Sequence, residues 1–255
     1  MELEFDHGGA GGLAAIGDEV RGALAGAPVD VNALPAAGRR KRLLISDMDS
    51  TIIPIECIDE IADHAGIGPR VAAITERAMR GDLDFEAALK ERVGLLRGFP
   101  EAELQAVYDE RVTLTPGAEA LVGAMNAAGA LTALVSGGFD FFTARVAAAA
   151  GFARHQANRL IVVDGRLTGE VAEPILGRDA KRAALRACAA ERGLSLADAL
   201  ALGDGANDLD MIAAAGLGVA WRAKPAVAAA ADARLDYADL TAVLRLQGVA
   251  APGFG

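Results

Sequence analysis

The feature that most constrains the fold is a rhythm: short apolar runs that stop at a polar residue, separated by stretches with helical spacing. "RLLISD" (42–47), "LTALVSGGF" (131–139) and "ALALGD" (199–204) are such runs. Their length and aliphatic content predict buried parallel strands. Between and after them, "AEALVGAMNAAG", "DFFTARVAAAAG", "RDAKRAALRACAAERG" and "ANDLDMIAAAG" predict helices. "LGVAW" and "ARLDY" are short strand candidates, and "NRLIVVDGRLTGEV" places two apolar runs around Asp164-Gly165, a hairpin signal. Strands alternating with helices imply an α/β fold: a Rossmann-like, mostly parallel sheet with helices on both faces. In "LTALVSGGF" the glycines are expected to form a turn after the strand.

The rhythm breaks once. From 54 to 118 no strand pattern occurs. "IECIDEIADHAG", "GPRVAAITERAMRG", "DFEAALKERVGLLRG" and "PEAELQAVYDERV" all read as helices. The expected organisation is therefore a core of residues 41–53 and 119–255 with an inserted small helical cap at 54–118. Residues 1–40 read as an N-terminal extension or partial domain, with one helix near Leu13 to Leu24. Pro54 is expected to stiffen the hinge into the cap or to start its first helix.

Composition narrows the partners. A net charge of -10 disfavours nucleic acid, whose phosphates are met mainly by Lys and Arg. No apolar stretch of about 18 residues appears, so no membrane span is expected. Two cysteines, Cys57 and Cys188, make neither a metal motif nor a disulfide framework. A reducing, cytoplasmic setting is the expectation. Cys57 reads as a small buried apolar residue.

In open parallel sheets, ligands bind beyond the carboxyl ends of the strands. Three predicted strand ends carry polar groups: Asp47, Ser136 and Asp204. Any one alone has an ordinary explanation, as a helix cap or a turn residue. Lys181 alone would be a solvated helix residue. Their placement at ends of one sheet lets them converge. Asp47 and Asp49, two apart in an extended segment, can share a face. Such a set suits phosphoryl transfer. A phosphate dianion repels an attacking carboxylate, by about 4 kcal/mol for two unit charges about 4 Å apart at an effective dielectric near 20. Positive charge must therefore gather around the nucleophile. Mg²⁺ held by Asp47 and Asp204 would supply most of it, and Lys181 a further point charge. The Ser136 hydroxyl and the Gly137-Gly138 amides would hold phosphate oxygens. Asp47 can attack phosphorus, and Asp49 can protonate the leaving alcohol and later take a proton from water.

"DMDST" at 47–51, "SGGF" at 136–139, Lys181 and "GDGANDLDM" at 203–211 come in the order of four motifs. In these the chain resembles the haloacid dehalogenase-like phosphatases over roughly residues 41–247, and within them the members that hydrolyse O-phospho-L-serine. The resemblance implies Asp47 as nucleophile and Asp49 as acid/base. It implies Mg²⁺ bound by Asp47, the Asp49 backbone carbonyl and Asp204, with Thr51, Asn207 and Asp208 in support. Ser136, Gly137, Lys181 and Asn207 then bind the substrate. In the cap it gives Glu56 to the substrate ammonium and Arg92 to its carboxylate, with Phe85 and Met79 in the wall. An arginine fork matches a carboxylate where lysine cannot.

The expected partner is a small phosphorylated amino acid, with a homodimer left open. Two other readings stand beside this one: action on another small phosphorylated metabolite or transfer to an alcohol, and a non-catalytic phosphate-binding module. The Asp47–Asp49 pair argues against the module, which needs no nucleophile. A P-loop kinase is excluded because no G-x-x-x-x-G-K-[ST] occurs.

Overall fold

A computed structural model describes residues 2–6, 12–24 and 26–249. Helix α1 (Leu13–Ala23) precedes the first strand, β1 (Leu43–Ser46). Four helices follow without a strand between them: α2 (Cys57–His64), α3 (Gly68–Met79), α4 (Phe85–Gly94) and α5 (Glu101–Arg111). The alternation resumes with α6 (Ala118–Ala127), β2 (Leu131–Phe139), α7 (Asp140–Ala150) and β3 (Arg154–Asn158). A hairpin of β4 (Leu160–Val163) and β5 (Arg166–Val171) leads to α8 (Arg178–Glu191). The chain continues through β6 (Ala199–Gly203), α9 (Leu209–Ala214), β7 (Leu217–Trp221), α10 (Pro225–Ala230), β8 (Ala233–Leu235) and α11 (Ala242–Leu246).

Six strands form one parallel sheet in the order β3-β2-β1-β6-β7-β8. The order reverses at β1, so a crevice opens past the ends of β1 and β6, where such folds hold ligands. The period-two alternation of strands explains the two buried layers. Leu44, Leu200 and Leu202 face one side and pack with Leu121 of α6, Phe142 of α7 and Val243 of α11. Leu43, Ile45, Ala199 and Ala201 face the other and pack with Leu185 of α8, Met211 of α9 and Val227 of α10. Helices therefore cover both faces, as the rhythm predicts.

Three details depart from expectation. The glycines of "SGGF" form no turn. Strand β2 runs on through Phe139, and its register against β3 shifts between Val135 and Phe139. Pairing of Phe139 with Asn158 keeps the segment extended, and the irregularity acts as a bulge. Pro54 does not start the first inserted helix, which begins at Cys57 after a turn. The "AND" of 206–208 is a 3₁₀ turn, and α9 proper starts one residue later.

Two long-range ties matter. The α4–α5 connection lies against the β4–β5 hairpin: Gly98 N–H donates to Leu167 O, Leu167 N–H to Phe99 O and Glu101 N–H to Gly165 O. Arg166 also donates to Gly98 O at 2.7 Å. The inserted helices are thus stitched to the core through backbone at one corner. At the far edge, the Asp30 carboxylate accepts from the amides of Asp236, Tyr237 and Ala238, and Asn32 exchanges two bonds with the Arg234 backbone. The segment before β1 thereby covers edge strand β8.

Candidate active site

Strand β1 ends at Ser46, and the next residues turn sharply: Ile52 and Ile53 amides both donate back to Met48 O. That turn presents Asp47 and Asp49 at the reversal point of the sheet. Asp47 Oδ1 accepts from Met48 N–H at 2.7 Å, and Oδ2 lies 2.7 Å from Lys181 Nζ. Asp49 Oδ1 accepts from Cys57 N–H at 3.0 Å, and Oδ2 from the Ser136 hydroxyl at 3.2 Å. The two aspartates therefore have different partners: an ammonium for one, an amide and a hydroxyl for the other.

Lys181 lies in the first turn of α8 and is fully buried. Its ammonium contacts Asp47 at 2.7 Å and Asp208 at 2.6 Å. An ammonium has three donors, so one remains. Asp208 Oδ2 accepts from the amides of Asp204 and Gly205. Both Asp208 oxygens are thus engaged, and the residue ties Lys181 to the loop after β6. Asp204 Oδ1 accepts from Thr51 Oγ1 at 3.0 Å, and no partner occupies its Oδ2 among the described residues.

The electrostatics are those of acids sharing too little positive charge. Burial, then Asp208, hold Asp47 well above the usual carboxylate range, against the pull of Lys181. Burial raises Asp49, against hydrogen bonds from Cys57 and Ser136. Burial and Asp208 push Asp204 up to about 6. Burial alone would lower Lys181, but Asp47 and Asp208 outweigh it and raise it. Ligand oxygens of Asp47, Asp204 and Asp208 all lie within 4.8 Å of one another. An oxygen-only set with surplus negative charge suits a hard divalent cation. Asp204, with its Oδ2 without a partner among the described residues, is the carboxylate of the three most open to one.

The phosphate-type donors stand beside this cluster. Ser136 is buried at the β2 end, and its Oγ accepts from Gly138 N–H at 2.8 Å. A side chain at 138 is excluded: a Cβ there would lie 2.7 Å from Asp49 Oδ2. Asn207 is half-buried in the 3₁₀ turn, with Oδ1 close over Gly205.

The inserted helices supply the rest. Glu56 caps the start of α2 at the surface-accessible rim, where it accepts from Ser50 Oγ at 2.7 Å. Desolvation of the carboxyl, then Asp49, raise it to about 7. Arg92 donates Nε–H to Ala88 O of its own helix at 3.3 Å. Burial lowers its pKa, while the charges of Asp59, Glu56 and Asp49 oppose that. Phe85 lies against the core: a Cβ at Gly137 would meet its ring at 3.0 Å, and one at Gly177 at 3.3 Å. Met79, at the end of α3, is 71% exposed, so solvent covers most of it in this conformation. Two contributors went unseen in the sequence: Asp59, whose pKa burial raises and Arg92 lowers, and Asn158, which binds Gly137 O. No spacing rule marks either one.

Residues 44–213 match the profile of the haloacid dehalogenase-like hydrolase family. A phosphoserine phosphatase of Streptococcus thermophilus is 46% identical over 206 residues, 81% of this chain and 95% of its own length. One from Streptomyces coelicolor is 46% identical over 87% of this chain, which spans 54% of that protein. A solved structure described as a phospho-aspartyl intermediate analogue of phosphoserine phosphatase superposes with a TM-score of 0.75 at 41% identity. It covers 81% of this chain and 98% of its own.

Proposed function

The chain belongs to the haloacid dehalogenase-like hydrolases, and on that premise we propose that it hydrolyses O-phospho-L-serine to L-serine and phosphate through an aspartyl-phosphate on Asp47. The observation that carries this reading is the division of partners at the β1 end. Lys181 holds Asp47, while Asp49 sits apart on the Cys57 amide and the Ser136 hydroxyl. One carboxylate is arranged to attack and the other to keep a proton.

In the first step an Asp47 oxygen forms a bond to phosphorus, the phosphorus–oxygen bond to serine breaks, and the Asp49 proton goes to the leaving oxygen. In the second, water attacks phosphorus and gives its proton to Asp49. The bond to Asp47 then breaks and releases phosphate. The third Lys181 donor, the Ser136 hydroxyl and the Gly137 amide take the phosphate oxygens. Asp47, the Asp49 carbonyl and Asp204 would hold a Mg²⁺, which would supply positive charge against the phosphate and help keep Asp47 ionised. Thr51 orients Asp204, and Asp208 orients Lys181. We assign Asn207 to the phosphate as well.

We take residues 41–53 and 119–255 as the catalytic core and 54–118 as a cap that chooses the substrate. Glu56 takes the substrate ammonium, whose charge lowers the carboxyl from about 7 and keeps it ionised. Arg92 takes the carboxylate, and Phe85 with Met79 walls the cleft. The test is phosphate release with Mg²⁺ from phosphoserine, phosphothreonine, phosphoethanolamine and sugar phosphates. Phosphoserine is expected to turn over fastest. Equal turnover of phosphoethanolamine, which lacks the carboxylate, would remove the role of Arg92 and favour a broader metabolite phosphatase.

A further inference from the structure

We infer that Asn158 is a positioning residue for the phosphate end of this site, fastening the Ser136–Gly138 strand end to the segment that leads into Lys181. The inference rests on the phosphatase reading. Asn158 ends β3 and is 2% exposed. Its Nδ2 donates to Gly137 O at 2.8 Å and to Leu176 O at 3.2 Å, and its Oδ1 accepts from Leu176 N–H at 2.6 Å. Both amide donors are used, on two segments about forty residues apart.

Each segment that Asn158 holds leads on to a group of the site. Gly137 C=O and Gly138 N–H belong to one peptide unit. Asn158 holds its carbonyl, and Ser136 Oγ holds its N–H at 2.8 Å. A peptide plane held at both ends does not swing, so Ser136 Oγ is kept where it also meets Asp49. On the other side, Leu176 precedes Gly177, whose carbonyl accepts from the Ala180 and Lys181 amides. The same carboxamide thus sets where the first turn of α8 begins. It also brings together the two glycines, 137 and 177, against which the Phe85 ring lies. Asp at this position would turn an oxygen toward two carbonyl oxygens, and Ala would leave buried polar groups unpaired, which costs about 1–3 kcal/mol each.

Calorimetric titration of Asn158→Asp and Asn158→Ala with Mg²⁺ alone, and with inorganic phosphate in the presence of Mg²⁺, tests this. Phosphate affinity is expected to fall roughly tenfold or more, with Mg²⁺ affinity unchanged, because Asp47 and Asp204 do not touch Asn158. The turnover number for phosphoserine and for an aryl phosphate should drop in parallel, since both present the same phosphate. Unchanged phosphate affinity would overturn the inference. So would a proportional loss of Mg²⁺ and phosphate affinity, the mark of a generally loosened fold. The same-shaped Asp variant carries the test if the Ala variant does not fold. A wild-type protein that binds phosphate but hydrolyses no ester would remove the proposed function, and the affinities of the variants would still decide the role of Asn158.

Discussion

The two ends of the cleft are built differently. At the core end, Asp47, Asp49, Lys181 and Asp208 each have at least two partners, and all but Asp49 are classed among the buried residues. At the cap end, Arg92 has one bond, to its own helix, Glu56 stands at the rim, and Met79 is mostly in water. A preorganised polar site stabilises charge without reorganising during the reaction. Under the proposed function, this Arg and Glu are the groups a substrate would partner. The contrast says that bond-breaking is set by the core before substrate arrives, while recognition is completed by the substrate. It also limits cap motion. The backbone stitching of 98–101 to the β4–β5 hairpin holds that corner. Closure is then expected from the α3–α4 end, around exposed Gly81, rather than from the whole insertion swinging.

The most severe break of the core end is Asp47→Asn. It keeps the shape and removes the nucleophile. Turnover is expected to fall on the order of 10⁴-fold or more, for phosphoserine and aryl phosphates alike, with the melting temperature held or raised because a crowded acid is gone. Mass spectrometry of quenched reactions should find the aspartyl-phosphate in wild type and none in the variant. Phosphate release near the wild-type rate would end nucleophilic catalysis at this position.

The same contrast governs what could be read from residues alone. Asp47, Ser136 and Asp204 were legible because a parallel sheet has one functional edge, and each closes an apolar run. Glu56 and Arg92 carried no such signal: a first-turn acid and a mid-helix arginine look like ordinary solvated charges, and only family resemblance singled them out. Contacts between distant segments left no trace at all. Thr51 with Asp204, Asn158 with Gly137 and Leu176, and Phe99 with Leu167 join residues with no shared periodicity. Gly137-Gly138 was misread as a turn because glycine pairs usually punctuate. Here pairing of Phe139 with Asn158 across β3 overrides that preference.

Arg92→Ala breaks the cap end alone. A charged hydrogen-bonding pair contributes about 1.5–3 kcal/mol, so kcat/KM for phosphoserine should fall roughly 10- to 100-fold. An aryl phosphate without a carboxylate should lose little. The bond Arg92 makes is to its own helix, so stability should change little. Equal losses on both substrates would mean that Arg92 orders the cap instead of gripping substrate.

The smallest expected effect is on stability, and it separates the ends by pH. Asp204 sits at about 6 in the folded protein, against 3.8 ordinarily. Glu56 sits at about 7, against 4.5. With folded values raised, the native state holds protons that the unfolded chain has already released. Their contribution is fully present below the unfolded values and is lost as pH rises through the folded ones. The depressed groups Glu173, Glu191, Asp198 and Asp210 have the opposite sign, but they act as pH falls below their ordinary values of about 4 to 4.5, under the window of the raised acids. In chelator the melting temperature should therefore fall as pH rises from about 4.5 through 7, at roughly 2–4 °C per kcal/mol for a chain of this size. Water reaches Glu56 at the rim, so the core acids Asp47, Asp49 and Asp204, all raised, should dominate. Mg²⁺, binding only the folded state, should restore most of the loss at pH 7.5 and little at pH 5. A chelated protein whose melting temperature stays flat or rises across that window would show that the core acids carry no surplus charge, and would remove the electrostatic reason for a cation at Asp47 and Asp204.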